Sequence, residues 1–436
     1  MTTYVILPNT GVPVPVPGLG LLIFLVDNLG EPVPPVPFEE ASPDERAEMI
    51  VRRLAPKKNP AISAVFGEPD FLPFPFLQIG IKQGAAVCRL VRKFANEDSA
   101  EKFLKIIKTS QESINRSFSP EDLAEILAVD EEERPTFVQK FQKSLEDFTP
   151  QELVNMECVP TATGFLVGRN YLLTNYHVFP EKTLENQEAT LVQESVSEYI
   201  AQFSYEQDFL GRKIEPISYQ LERIVCFDKT LDYVLAKLNN TPTNSDANLG
   251  QAGDIFNWIP MSDDPMRIAP PITDDITDEL LQQKLDDAGI ELNIETLKNR
   301  AKFGEPVNII QHPKGRRKEI ILSNNWSKKI FKDFIEYEAD ADFSSSGSPV
   351  LNQQWQLVAL HHATIAEEFQ ENGIKKFKTV GQKGIRISSI VEDMRNKGNQ
   401  GNKEFLQFIK EFVSSQNSST EKSQEPNQKP PYAQSY

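Results

Sequence analysis

An all-β fold of antiparallel strands, a barrel or a sandwich with helical additions, is what this sequence predicts. From Thr161 onward, apolar residues alternate or run in short β-branched segments, the pattern of strands half or fully buried in a sheet. These segments follow one another without regular helices between them, which argues against a parallel α/β sheet. Helical rhythms are confined to the stretch before residue 156, to one insertion and to the C-terminal end.

Residues 1–75 form a proline-rich N-terminal segment. Val12 to Pro17 and Pro32 to Pro37 favour extended or polyproline backbone, and Gly20 to Val26 between them suits one buried strand. Pro43 to Leu54 predicts a short helix, with Ser42 as N-cap and Glu45 completing a capping box. Two readings stand for this segment, an arm that binds a regulatory protein partner and a leader packed on the main body. Residues 76–155 read mainly as helix. Glu101 to Ser110 places Phe103, Leu104, Ile106 and Ile107 at helical spacing. Ser119-Pro120-Glu121 is an N-cap followed by proline and an acid in the first turn, and Phe137 to Phe148 continues the pattern.

Residues 156–398 carry the strands. Leu191 to Phe203, Ser218 to Phe227 and Leu231 to Leu238 are candidates in the first half, and Lys375 to Ile387 adds strands near the end. Residues 274–303 interrupt them with two helices, Asp278 to Ala288 and Asn293 to Phe303. Residues 399–436 contain one amphipathic helix, Glu404 to Val413, and then a polar Gln/Ser/Pro-rich tail that reads as disordered.

The chain's 436 residues exceed one typical domain, and its 39% hydrophobic content suffices for a sizeable core. A net charge of −17 argues against a general binder of nucleic acid or of anionic membranes. Three widely spaced cysteines, Cys88, Cys158 and Cys226, make no disulfide framework and point to a reducing compartment. The N-terminus has no basic region before an apolar run, and Leu19 to Val26 is too short to span a bilayer. The expectation is a cytoplasmic protein.

Chemistry concentrates in three stretches. Asp342-Phe343-Ser344-Ser345-Ser346-Gly347-Ser348-Pro349-Val350 is dense in small residues, so the backbone turns sharply and brings N–H groups close to a ligand. A serine hydroxyl on such a turn, with amide donors beside it, has the local geometry of acyl transfer. Such a serine needs a base, and the chain has only four histidines: His177, His312, His361 and His362. His177 ends the strand–turn–strand stretch Thr163 to Val178, within Thr174-Asn175-Tyr176-His177-Val178. The base in turn needs an orienting acid. Asp232 enters the apolar strand Tyr233 to Leu238 directly, where burial lets it hold an imidazole tautomer, whereas its rival Asp228 stands four residues earlier.

These stretches resemble the trypsin-like serine peptidases. The nearer likeness is to the bacterial branch, with Gly-x-Ser-Gly-Ser-Pro around its nucleophile and Thr-Asn-x-His-Val around its base. Within that branch the chain is similar to intracellular peptidases joined to effector-associated domains, whose style includes a segment like Val307 to Gly315. The resemblance implies two antiparallel six-stranded barrels with a cleft between them. It implies His177 as general base, Asp232 as orienting acid and Ser346 as nucleophile, with the N–H groups of Ser344 and Ser346 holding the oxyanion. Gly84 to Leu90 also resembles the start of such peptidases. Residues 76–155 are therefore either a separate helical domain or an insertion after a first barrel strand at 86–91, and both stay open.

The implied activity is hydrolysis of peptide bonds in a protein or peptide substrate through an acyl-enzyme, with no cofactor and no metal. A departure weighs against full activity. Ser344 stands where the family has glycine, which points to low or regulated basal activity, or to a silent binding module that keeps the fold. Two residues bear on specificity. Asp340, six before Ser346, resembles the acid in the pocket floor of enzymes cleaving after Arg or Lys. His361 resembles the substrate-facing histidine of glutamate-cleaving relatives, but the hydroxyl residue expected at 341 is alanine. The balance favours basic residues. His312 reads as a structural histidine and Lys314 to Lys318 as a solvated hairpin tip.

Overall fold

The computed structural model describes residues 3–6, 40–55, 72, 74–101, 104, 149–155, 159–179, 193–244, 249–339, 345–371, 374–399 and 403–414. The proline-rich runs, the strand read at Gly20 to Val26, all but Glu101 and Leu104 of the helix read at Glu101 to Ser110, the helices read from Ser119 and at Phe137 to Phe148, the tail after Ser414, and the site candidates Asp340 and Ser344 lie outside them.

A short strand, β1 (Thr3–Ile6), and two helices, α1 (Pro43–Leu54) and α2 (Pro75–Ala85), come first. The α1 capping box forms as its sequence dictates, with Ser42 Oγ accepting the Glu45 N–H and the Glu45 carboxylate accepting the Ser42 N–H. Six antiparallel strands then close a barrel: β2 (Val87–Arg92), β3 (Val159–Leu166), β4 (Tyr171–Thr174), β5 (Tyr199–Phe203), β6 (Ile217–Asp228) and β7 (Tyr233–Leu238). Their spatial order is β2-β3-β4-β7-β6-β5, and β5 returns to β2. Closure leaves no free edge; the register sets Leu90, Phe203 and Tyr219 on one face of the barrel wall and Phe165, Leu173 and Leu235 on the other, and all six are buried. Because β2 pairs with both β3 and β5, residues 93–158 lie between two neighbouring strands of this barrel.

The second half begins with a two-residue strand, β8 (Met261–Ser262). Its main sheet contains β9 (Asn308–Gln311), β10 (Glu319–Ile321), β11 (Ser327–Ile330), β12 (Phe334–Tyr337), β13 (Pro349–Leu351), β14 (Leu357–Glu371) and β15 (Ile374–Arg386). The order β10-β9-β13-β14-β15-β12-β11 is antiparallel throughout, and β1 pairs with the outer part of β14. The sheet curls until the residues before β9 meet the start of β11, through a bridge at Pro306 and Trp326 and a Val307 N–H to Asn325 carbonyl bond of 2.8 Å. The second sheet is thus only partly closed, because a bridge rather than a full ladder joins the residues leading into β9 and β11.

Helices decorate this pair of sheets. A short α3 (Pro150–Asn155) precedes β3, and α4 (Ala252–Phe256) follows the first barrel. The insertion folds as α5 (Asp278–Asp287) and α6 (Ile294–Arg300), with Thr277 and Asn293 as N-caps. Ala47, Ile50 and Val51 of α1 pack against Leu281, Leu285 and Leu297 there, and buried Arg46 pairs with Asp275. Last come α7 (Ile387–Asn399) and α8 (Lys403–Phe412), whose Phe408 ring lies 4.9 Å from Tyr171 of the first barrel. Among the described residues no helix is long and apolar enough to cross a membrane, and Cys88 and Cys226 are free thiols.

Candidate active site

His177 sits in the 3₁₀ turn that follows β4, and Asp232 sits in the turn between β6 and β7. The β4–β7 pairing, Thr174 opposite Val234, sets these two turns side by side. His177 Nδ1 lies 2.7 Å from Asp232 Oδ2, and the His177 backbone N–H donates to Oδ1 at 2.9 Å. The Asp232 carbonyl accepts the Tyr176 N–H at 3.2 Å and Asn175 Nδ2 at 2.9 Å. Asp232 adopts φ +44°, a left-handed conformation that aspartate tolerates in turns. Its rival Asp228 is engaged elsewhere, accepting the Leu231 N–H and pairing with Lys397 at 2.8 Å.

A carboxylate only accepts hydrogen bonds, so the His177 Nδ1 must carry its proton. That tautomer leaves Nε2 with a lone pair, as a general base requires. Burial would raise the Asp232 carboxyl, but the charge and hydrogen bonds of His177 and His362 outweigh it and hold Asp232 well below the usual carboxylate range.

The serine turn comes from the second half. Ser348 is buried, and both its N–H and its Oγ donate to the Ser345 carbonyl, at 3.0 and 2.6 Å. Ser345 is buried too, whereas Ser346 is partly exposed. Gly347 has φ +85°, and a Cβ there would meet the Thr163 carbonyl at 2.1 Å and Thr174 Oγ1 at 2.3 Å. The Ser346 carbonyl accepts the Thr163 N–H at 3.0 Å. This turn is therefore pressed onto β3 and the end of β4, three residues before His177. Ser344 and Asp340 lie outside the described residues.

His361 is buried, with Nδ1 2.6 Å from the Tyr337 hydroxyl. Burial, helped by His362 and His177, pushes its imidazole down to about 3, so it is neutral at ordinary pH. Burial also raises the Tyr337 hydroxyl well above its ordinary value, so it stays protonated. His312 is fully buried away from this group, bonded through Nδ1 to the Arg316 carbonyl at 3.0 Å. The basic cluster after it is solvated only in part: Arg316 is exposed and pairs with Glu319 at 2.9 Å. Lys318 is largely buried against Glu206 and the Gly84 carbonyl, and Arg317 stacks on Tyr205.

Sequence reasoning assigned no role to His362. Its Nδ1 lies 2.6 Å from the same Asp232 Oδ2 that His177 holds. The available signal was two adjacent histidines in one strand of a chain with four. Strand alternation would send neighbours to opposite faces, but β14 has a bulge here: His361 opposes Gly384 and Ala363 opposes Lys383, leaving His362 as the extra residue. His177, Asp232 and His362 also place three metal-ligand atoms within 4.8 Å of one another. Hydrogen bonding accounts for this grouping, since both ring nitrogens are engaged on the carboxylate oxygen itself.

The model of the trypsin-like peptidase domain family matches residues 280–360, a stretch that runs through the serine turn. Among curated proteins, the uncharacterized protein y4fB of Sinorhizobium fredii (strain NBRC 101917 / NGR234) is 23% identical over 267 residues. That match covers 54% of this chain, and the chain spans about a third (33%) of the relative's length. Among solved structures, the serine endoprotease from Yersinia pestis aligns with a TM-score of 0.31 at 11% identity, over 76% of this chain and 69% of that one.

Proposed function

We propose that this chain, trypsin-like in fold, is a serine endopeptidase that hydrolyses peptide bonds through an acyl-enzyme. The observation that supports it best is the two-point hold of Asp232 on His177, beside a turn whose partly exposed serine is Ser346. Ser346 Oγ attacks the substrate carbonyl, and His177 Nε2 takes its proton and passes it to the leaving amine. Asp232 keeps the tautomer and stabilises the imidazolium. Water then repeats the sequence on the ester. The N–H groups of Gly347 and Ser348 are taken by the carbonyls of His361 and Ser345. Within the turn, the oxyanion role therefore falls to the Ser346 N–H, with Ser344 as its expected second donor.

Basal activity is low in this reading, because serine replaces glycine at position 344. His361 meets the substrate as a neutral imidazole, so it supplies no positive charge to select an acidic residue. Asp340 then sets the charge, and the preference is for basic side chains. The N-terminal segment recruits a regulatory protein partner through its proline-rich runs. The test is labelling by a fluorophosphonate probe in wild type, Ser346→Ala and Ser348→Ala. Labelling lost only in Ser346→Ala is expected. A folded wild type that never labels would favour a silent binding module.

A further inference from the structure

We propose that His362 is a positioning residue of this site, holding Asp232 from the opposite half of the molecule so that the carboxylate stays aimed at His177. The inference rests on the peptidase reading above. Asp232 Oδ2 receives two imidazole donors, His177 Nδ1 at 2.7 Å and His362 Nδ1 at 2.6 Å, while Oδ1 receives the His177 backbone N–H. An ionised carboxylate has no proton to offer, so both rings stand in the Nδ1–H tautomer. The His177 contacts come from the first barrel, on the same side as Asp232 itself. His362 alone among these donors comes from the second sheet, and the β14 bulge is what turns it inward.

The surroundings favour a neutral donor. His362 faces Asp232, the His177 ring at 6.4 Å, the Phe334 ring at 5.9 Å from β12, and Lys383 from β15, whose ammonium lies over Phe334. Glu336 acts on Lys383, and His361 adjoins on the same strand. Burial lowers the His362 imidazole, His177 and Lys383 push it the same way, and Asp232 only partly opposes them. A neutral imidazole donates to Asp232 without placing a second full positive charge beside the base. It also draws on the carboxylate's acceptor strength, so the imidazolium of His177 is stabilised less than with a single donor.

The experiment combines a probe reaction with a spectroscopic one, on the full chain. Fluorophosphonate labelling rates are measured from pH 5 to 9 for wild type, His362→Ala and His362→Asn, with Ser346→Ala as the unlabelled control. Loss of one charge-assisted hydrogen bond should slow His362→Ala about tenfold. Its acid limb should move to higher pH, because Asp232 with one donor fewer holds the protonated base more strongly. His362→Asn, which keeps an N–H donor, should return to within about threefold of wild type. Proton NMR should show two low-field imidazole N–H signals in wild type and one, shifted, in each His362 variant. Wild-type rates and an unmoved acid limb in His362→Ala, or a single low-field signal in wild type, would overturn the proposal. Two low-field signals in a wild type that does not label would instead sink the peptidase reading and leave the contact standing.

Discussion

Asp232 grips His177 at two points: one carboxylate oxygen accepts the backbone N–H at 2.9 Å and the other accepts Nδ1 at 2.7 Å. The two bonds share one planar group, so the carboxylate cannot rotate for one partner without losing the other. Position and tautomer of the ring are set together.

Asp232→Asn should therefore do more than remove charge. An amide cannot accept from the backbone N–H and from two imidazole donors with both of its heavy atoms, so His177 is driven to the wrong tautomer. Probe labelling should fall by about 10⁴, with circular dichroism unchanged. Asp228→Asn, which alters the Lys397 pair and the Leu231 N–H bond but neither bond between Asp232 and His177, should label within a few-fold of wild type. Greater damage at Asp228 would reverse the assignment.

The serine turn separates chemistry from support. Gly347→Ala puts a methyl group about where the Thr163 carbonyl lies and forces a residue with a Cβ to φ +85°. It should abolish labelling and lower the melting temperature. Ser348→Ala removes the bond to the Ser345 carbonyl and should cost about 1 kcal/mol of stability while labelling persists. Chemical denaturation of both variants, read beside the labelling, checks the contrast.

Lys383 gives a stability signature. Burial pushes its ammonium down to about 7, against a weaker opposing pull from Glu336. Between that value and the ordinary lysine range the unfolded chain binds more protons than the folded one, so stability rises with pH there. Below pH 7 both states are protonated and the slope vanishes. Wild type should gain stability from pH 7 to 10 relative to Lys383→Met, which lacks the titration. Parallel melting curves for the two proteins across that range would rule out this account.

Ser344→Gly should raise basal kcat with little change in KM, since an oxyanion donor acts mainly in the transition state. One donor is worth about 10²–10³ in rate, which bounds the gain. Steady-state kinetics on a single peptide substrate read it directly. An equal or lower kcat in the folded glycine variant would place the restraint elsewhere.

A fragment beginning at Gln151 should fail to fold, because it lacks β2, and a barrel missing one of six strands exposes the edges of β3 and β5. Limited proteolysis of the full chain should yield a core that always retains Val87 to Arg92. A soluble, cooperatively melting fragment from Gln151 would refute this.

Much of this molecule is written locally. The capping box at Ser42, the N-caps at Thr277 and Asn293, the strand turn leading into His177, and the Ser346-Gly347-Ser348 bend all arise among neighbours three or four residues apart. Period and composition report such neighbours, so the all-β class could be read from the chain alone, whereas His177, Asp232 and Ser346 are candidates by motif resemblance. Tertiary structure decided what depends on distant partners. The membership of β2 in the barrel requires pairing with strands that begin more than sixty residues later. The buried duty of the Lys318 ammonium depends on Glu206 and Gly84. The contact of His362 with Asp232 spans 130 residues and needs a bulge to re-aim one side chain. A bulge breaks the two-residue alternation on which strand reading rests, so the second histidine on Asp232 could appear only once both halves of the fold were in place.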